Sequence, residues 1–187
     1  MALADNTVAL QQLLAQVNAL PSGGGSALLD ALINRSITAI SSTVTSIGAN
    51  AFNGCVSLAS ADFPNVTSVG LNAFSGCVSL TTVNFPAMIS IGSSAFQGCT
   101  SLASVDLPDA ASISTVVFNG CTSLSALILR RTDAVCTLSN SNTLSGTKIA
   151  AGTGYIYVPD SLVDNYKSAA NWSTYAAQIK PLSTYAG

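Results

Sequence analysis

Residues 91–108 read IGSSAFQGCTSLASVDLP, and the same pattern of apolar residues, glycines and cysteine recurs every 22 residues. Three columns of the aligned units are invariant: Phe52, Phe74, Phe96 and Phe118; Cys55, Cys77, Cys99 and Cys121; and Leu58, Leu80, Leu102 and Leu124. Four units align without an insertion, which chance does not produce. A fixed period of roughly 20–50 residues is typical of a solenoid, propeller or array, in which stacked units share one core.

The pattern within a unit indicates which kind of array is present. LASVDL at 102–107 reads L-x-x-L-x-L, the strand signature of a leucine-rich repeat. Because side chains alternate along a strand, Val105 and Leu107 are expected to point inward, and Ser104 and Asp106 outward. A proline follows the strand in three units and ends it. The Ser-Ala-Phe segment before the strand is predicted to be a short helical or 3₁₀ stretch.

The run I-G-x-x-A-F-x-G-C-x-S-L-x-x-V-x-L-P closely resembles the BspA-like leucine-rich repeats of bacterial surface proteins. The resemblance is specific over about residues 44–131 and extends more weakly to 155–182, which is similar to the closing segment of such proteins. It implies an α/β solenoid, a short right-handed stack with a parallel sheet on its concave face. It also implies a non-enzymatic binding role in adhesion and in host or surface contact.

The remaining chain is divided around this array. We expect a repeat domain over 27–187 that is preceded by a separate N-terminal helix and a glycine-rich linker. The predicted segments are the helix at 1–21, the linker at 22–26, an N-terminal cap at 27–43, four repeats at 44–131, an irregular loop at 132–154 and a C-terminal cap at 155–187.

The N-terminal helix carries an apolar seam at heptad spacing, which is typical of a coiled coil. The seam consists of Leu3, Leu10, Leu13, Val17 and Leu20. Fewer than three heptads make a weak free coiled coil. Three alternatives are open: the helix docks on its own domain, it self-associates as a trimer or dimer, or it inserts into a larger assembly.

The C-terminal cap is predicted from a second amphipathic segment. Asp160 or Ser161 can begin a helix that runs through Leu162, Tyr166 and Ala169. The larger apolar side chains that follow are expected to cover the last repeat: Trp172, Tyr175 and Ile179. A ligand-binding role for Trp172 is the alternative.

Composition excludes most catalytic chemistry. The chain has no His, all eight acidic residues are Asp, and only 7% of its residues are charged. These absences exclude a His-dependent triad, a His-containing zinc site and a Glu acid/base pair. Asp62 and Asp106 lie two repeats apart, about 10 Å by strand spacing, so a solvated strand face explains them better than a carboxylate pair. We therefore expect no catalytic residue, no metal and no cofactor.

The cysteines are predicted to be free thiols. Equivalent residues on stacked strands lie about 4.8 Å apart, whereas a disulfide needs Cβ atoms about 3.8 Å apart and a specific torsion. A spacing of 22 residues matches no metal-binding pattern. Cys136, outside the column, is expected to be free and buried as well.

The outward column of the predicted concave sheet is the candidate binding surface. It runs through Asp62, Asn84, Asp106 and Ile128, and an alignment of Pro159 with Pro108 adds Tyr155 and Tyr157. Exposed tyrosines beside Ile128 would form an aromatic anchor of the kind that contributes much of the binding energy of interfaces. The alternative is that segment 132–154 folds over these rings.

These features predict a display module that binds a protein partner or a surface glycan. A net charge of −2 disfavours nucleic acid, and no run of 18 apolar residues is present to span a membrane. A short helical anchor, a linker and a β-rich tip without a visible secretory signal resemble accessory proteins of bacteriophage virions. The alternatives are a bacterial cell-surface or extracellular adhesin and, third, an enzyme.

Overall fold

The computed structural model describes residues 39–41 and 44–186, with only the backbone described at 39–41. The predicted N-terminal helix, its seam and the linker lie outside the described residues, as does most of the predicted cap at 27–43. The described residues thus comprise the repeats and the C-terminal cap.

One series of parallel strands runs along the whole stack. These strands are β1 (Ala39–Ser41), β3 (Ser60–Asp62), β5 (Thr82–Asn84), β7 (Ser104–Leu107), β9 (Ala126–Leu129), β11 (Tyr155–Val158) and β12 (Ile179–Pro181). They form a three-stranded sheet, β1-β3-β5, and a four-stranded sheet, β7-β9-β11-β12, with β7 beside β5. We call the outward side chains of this series from β3 to β12 the strand face.

A second series of two-residue strands forms the next side of the stack. It consists of β2 (Ser46–Ile47), β4 (Ser68–Val69), β6 (Ser90–Ile91), β8 (Ser112–Ile113) and β10 (Thr137–Leu138). Their order is β10-β8-β6-β4-β2, and every neighbouring pair is parallel. Parallel sheets stacked once per repeat confirm the predicted solenoid.

The third side of each repeat consists of tight turns rather than the predicted helical segment. In the second repeat Asn72 and Gly76 have φ of 53° and 73°, in the left-handed region. These two residues interrupt any helical run around Phe74. The Phe74 amide then donates to the oxygen of Ala95 in the next repeat, at 2.7 Å, so the backbone bonds run between repeats.

Phenylalanine rings form the centre of the core. The invariant column stacks with ring-centroid distances of 5.1 Å from Phe52 to Phe74, 5.2 Å from Phe74 to Phe96 and 5.8 Å from Phe96 to Phe118. Such separations lie within the favourable range for aromatic pairs, and each pair adds about 0.5–1.5 kcal/mol to the burial of the rings. This ladder holds successive repeats in register.

The cysteine column lies beside the phenylalanines, and the predicted free thiols are confirmed for Cys77, Cys99, Cys121 and Cys136. The thiols of Cys77, Cys99 and Cys121 each donate to the main-chain oxygen of a phenylalanine 25 residues earlier, at 3.0–3.2 Å. Burial raises the pKa of Cys77 to about 12 and that of Cys136 to about 12. These two thiols are therefore protonated at neutral pH.

Segment 132–154, predicted to be an irregular loop, forms a fifth turn of the stack. Strand β10 pairs with β8, and the 3₁₀ helix η1 (Ser141–Leu144) follows it. The Phe118 amide donates to the oxygen of Thr143, and the Gly120 amide to that of Ser145. These bonds are of the type that joins the earlier repeats, so the structure corrects the prediction.

A cap made of one α-helix and 3₁₀ turns follows β11. The cap elements are η2 (Asp160–Leu162), α1 (Val163–Ser168), η3 (Trp172–Tyr175) and η4 (Leu182–Thr184). Tyr166, Trp172, Tyr175 and Ile179 are buried. The Asp160 side chain does not cap the helix that follows it, because its carboxylate accepts from the Ser183 amide at 3.0 Å.

Candidate binding surface on the strand face

The strand register places the predicted outward residues side by side. Asp62 lies beside Asn84, Asp106 beside Ile128, and Ile128 beside Tyr157. This register agrees with the predicted alignment of Pro159 with Pro108. It also adds Lys180, which lies beside Tyr157 and which sequence reasoning missed. The available signal was the 22-residue spacing from Pro159 to Pro181.

The first half of the strand face is small and almost uncharged. Asp62 is the only charged residue between positions 44 and 105, and its Oδ1 accepts from Asn84 Nδ2 at 2.7 Å. Beside this pair lie Ser60 and Thr82, which are in register with each other. This half offers short hydroxyl groups and no anchoring side chain.

An exposed ion pair marks the beginning of the second half. Arg130 Nε lies 2.9 and 3.0 Å from the two carboxylate oxygens of Asp106, and its terminal nitrogen lies 2.8 Å from one of them. Both side chains are about two-fifths exposed, at 41% and 43%. The hydrogen bonds to Asp106 raise the pKa of Arg130 above its ordinary value. A pair this exposed stabilises the fold by no more than about 1 kcal/mol.

Three tyrosines occupy the far end of the strand face; we call Tyr155, Tyr157 and Tyr185 the tyrosine cluster. The ring centroids of Tyr155 and Tyr157 are 6.2 Å apart at 60°, and those of Tyr157 and Tyr185 are 4.7 Å apart. Lys180 Nζ lies 5.4 Å from the Tyr155 centroid, within cation–π distance. Tyr155 is 40% exposed, whereas the other two rings are half-buried.

Ile128, predicted to belong to the outward binding column beside the tyrosines, is not exposed. Its side chain is only 1% exposed. Its register neighbours are Tyr157 on one side and Asp106, which Arg130 covers, on the other. Ile128 therefore lies below the surface of the strand face and is not available as a contact residue.

The C-terminal segment reaches the tyrosine cluster through a short strap, residues 182–185. The Ser183 amide donates to Asp160 Oδ1, and the Tyr185 amide donates to the oxygen of Leu182 at 3.0 Å. The bond from Ser183 lowers the pKa of Asp160. Tyr185 had no signal in the sequence. The predicted alternative, coverage of the rings by 132–154, does not occur, since that segment forms its own turn of the stack.

The acidic side chains of the described strand face are paired rather than clustered. Within residues 44–186, no three His, Cys, Asp or Glu side chains come together as a metal site would require. Asp62 and Asp106 each have a neighbouring side chain as partner, Asn84 and Arg130. Among the described helices, none has the length and apolar character needed to cross a bilayer.

A protein-family model matches most of the repeat region. The model of the BspA type leucine rich repeat region matches residues 31–149 in six copies, so it extends beyond the four aligned units at both ends. No curated protein matched the chain in a sequence comparison.

Solved structures of bacterial leucine-rich repeat proteins are similar to this one. A leucine-rich repeat protein of T. pallidum is 26% identical with a TM-score of 0.55, covering 65% of this chain and 58% of its own. The pneumococcal vaccine antigen PcpA is 13% identical over 79% of this chain and 40% of its own, with a TM-score of 0.47. A Bacteroides ovatus protein is 23% identical over 69% and 53%, with a TM-score of 0.33. This chain thus spans at most 58% of these neighbours.

Proposed function

Because the chain belongs to the BspA type leucine-rich repeat family, we propose that it is a non-enzymatic binding module whose contact surface is the second half of the strand face. Repeat solenoids use their extended sheet surfaces for binding. The proposed contact residues are Tyr155, Tyr157, Asp106 and Arg130. Tyr185 and Lys180 support the two rings of β11.

One observation carries this proposal, the exposure of Tyr155. Aromatic residues are enriched in interface hot spots, because a rigid ring offers a large contact area at a low cost in conformational entropy. Tyr155 keeps 40% of its surface accessible although Tyr157 and Lys180 lie against it. Its neighbours hold the ring in place, so binding would require little further ordering.

The finer assignment concerns where the module acts. We propose display on the outside of a particle or cell, with a bacteriophage virion as the first candidate and a bacterial cell surface or the extracellular medium as the second. This assignment is supported by the order of segments in the sequence, in which an apolar heptad seam at 1–21 is joined by a glycine-rich linker to the repeats. Attachment to a larger assembly, or self-association as a trimer or dimer, would follow from that seam.

Two immobilised surfaces test the binding role, porcine gastric mucin and bacterial peptidoglycan. We expect the full chain to bind at least one of them, and Tyr155→Ser combined with Tyr157→Ser to weaken that binding at least tenfold. Leu71→Ser is the matched control, because Leu71 is an exposed apolar residue outside the strand face. This variant should bind as well as the unaltered protein. No binding to either surface, or equal binding by the double variant, would refute the proposal.

The folded state of the double variant needs a separate measurement. Tyr157 is half-buried, so its removal could lower the melting temperature. The single variant Tyr155→Ser avoids this problem, since its ring is the exposed one, and it should lose affinity at an unchanged melting temperature.

A further inference from the structure

The second half of the strand face has a raised ring beside a lower surface of short side chains. We call the surface formed by Tyr155, Ala126, Ser104, Asp106 and Arg130 the step. Tyr155 is in register with Ala126, and Ala126 is in register with Ser104. Lys180 reaches Tyr155 from the opposite side, that of β12, so the ring rises above a floor of short side chains on the side of β9. Beyond that floor stands Asp106, two residues after Ser104 on β7, together with its partner Arg130, which directly follows β9.

The size of this step decides what it can hold. Two strand spacings and two residues along the strand place Tyr155 and Asp106 about 12 Å apart at their Cα atoms. The step itself spans two strand spacings by two residues, a plan area of roughly 65 Å², which side chains only about double as accessible surface. A stable protein–protein interface needs about 800 Å² from each partner. The step is too small for a protein partner by itself, but it has the width of one or two sugar rings.

Resting on the proposed binding function, we infer that this step binds a neutral saccharide. The apolar face of a sugar ring can lie against Tyr155, over Ala126 and Ser104. Asp106 and Arg130 then offer acceptors and donors side by side for neighbouring hydroxyl groups, because a carboxylate has about four acceptor sites and a guanidinium five N–H donors. Their mutual pairing uses only some of these.

The charge of the step favours a neutral ligand over an acidic one. Asp106 neutralises Arg130, and its carboxylate is 43% exposed towards any ligand in the step. Lys180 lies behind the Tyr155 ring, on the side away from the floor. An acidic sugar would therefore meet a carboxylate in front and no unpaired cation among the described residues of the floor.

Treatment of the coated surfaces tests the ligand class. Periodate cleaves vicinal diols of sugars, whereas proteinase K removes polypeptide. On the mucin surface, whose glycans contain such diols, we expect binding of the full chain to be lost after periodate and retained after proteinase K. The opposite result would overturn the saccharide inference while leaving tyrosine-dependent binding, and so the proposed function, intact. If the double tyrosine variant binds as well as the unaltered protein, both fail.

Titration with defined sugars tests the site. With lactose, maltose, chitobiose and 3′-sialyllactose as probes, we expect at least one neutral disaccharide to shift the amide resonances of Ser104, Ala126 and Tyr155, with a Kd in the millimolar range. Asp106→Asn should weaken that binding at least tenfold, whereas Asp109→Asn, also exposed but outside the strand face, should not. No shift with any neutral sugar, or sialyllactose binding tenfold more tightly than lactose, would overturn the inference.

Discussion

The indole Nε1 of Trp172 donates a hydrogen bond to the main-chain oxygen of Cys136, 2.6 Å away, directly before β10, the edge strand of the second series. This edge has no further strand beyond β10 in the described chain. Side chains of the cap take its place: the Tyr166 hydroxyl accepts from the Cys136 amide at 2.8 Å, and Asn171 Nδ2 donates to the oxygen of Leu138 at 2.7 Å. The cap thus satisfies backbone groups of an edge that would otherwise pair with another chain.

We predict that Tyr166→Phe destabilises the protein by about 1–3 kcal/mol, because the ring remains but the buried Cys136 amide loses its acceptor. Urea unfolding followed by circular dichroism measures the loss. Tyr155→Phe, which removes an exposed hydroxyl, is the matched control and should change the stability by less than about 0.5 kcal/mol. Equal effects of the two variants would contradict the role of the cap.

Val116 is predicted to be a strained position. Its φ is 58°, in the left-handed region that a β-branched residue rarely adopts, and the equivalent residues in two earlier repeats are Asn50 and Asn72. We expect Val116→Asn to stabilise the protein by about 1 kcal/mol, which corresponds to a rise in Tm of roughly 2–4 °C. The reverse exchange, Asn72→Val, should lower Tm. A fall in Tm for Val116→Asn would show that packing of the valine outweighs the strain.

Gly92 is predicted to tolerate no side chain. A Cβ at this position would lie 2.8 Å from the carbonyl carbon of Gly70 and 2.9 Å from the Leu71 nitrogen, both backbone atoms of the preceding repeat. Gly92→Ala should therefore cost about 1–3 kcal/mol or more in unfolding free energy. Ser114, the equivalent residue of the next repeat, already has a Cβ, so Ser114→Ala should cost less unfolding free energy. Thermal unfolding of the two variants makes the comparison.

The sequence predicted the repeats well because an invariant period fixes the strand register. It missed the fifth turn, since the paired residues there are 25 apart between Ile113 and Leu138, and 29 apart between Leu127 and Ile156. The hydrogen bonds between repeats are also present where the turns are longer. Residues paired at these longer spacings do not follow the 22-residue period, so the period does not indicate them.

The candidate site was predicted only in part. Alternation along a strand gives the direction of Ile128, Tyr155 and Tyr157, but it does not show what lies over them. The ion pair of Arg130 with Asp106 and the contact of Tyr157 with Tyr185 change this face in ways that alternation does not show. Both contacts join residues whose proximity arises from the folded chain and has no periodic signature.

Thiol reactivity checks the cysteine column. Because burial raises the pKa of Cys77 and of Cys136 to about 12, almost no thiolate of these two residues is present at pH 8. We expect a native protein treated with a thiol reagent such as dithionitrobenzoate to react first at half-buried Cys55, and the buried thiols to react only after unfolding in guanidinium chloride. Rapid reaction of all five in the native state would contradict their burial.

Acid is predicted to release the strap from the strand face. The hydrogen bond from the Ser183 amide lowers the pKa of Asp160 below its ordinary value of 3.8. A depressed folded-state pKa stabilises the strap above the unfolded pKa, and this contribution is lost as pH falls through the folded pKa. We expect the Ser183 amide resonance to move, and the contact between Tyr157 and Tyr185 to weaken, only below about pH 4.

Two variants test whether Asp160 causes this transition. Asp160→Ala should remove the pH dependence and leave the strap loose at neutral pH. Asp133→Ala, which removes another exposed carboxylate of lowered pKa outside the strap, should leave the Ser183 titration unchanged. A Ser183 resonance that moves equally in all three proteins would show that Asp160 does not hold the strap.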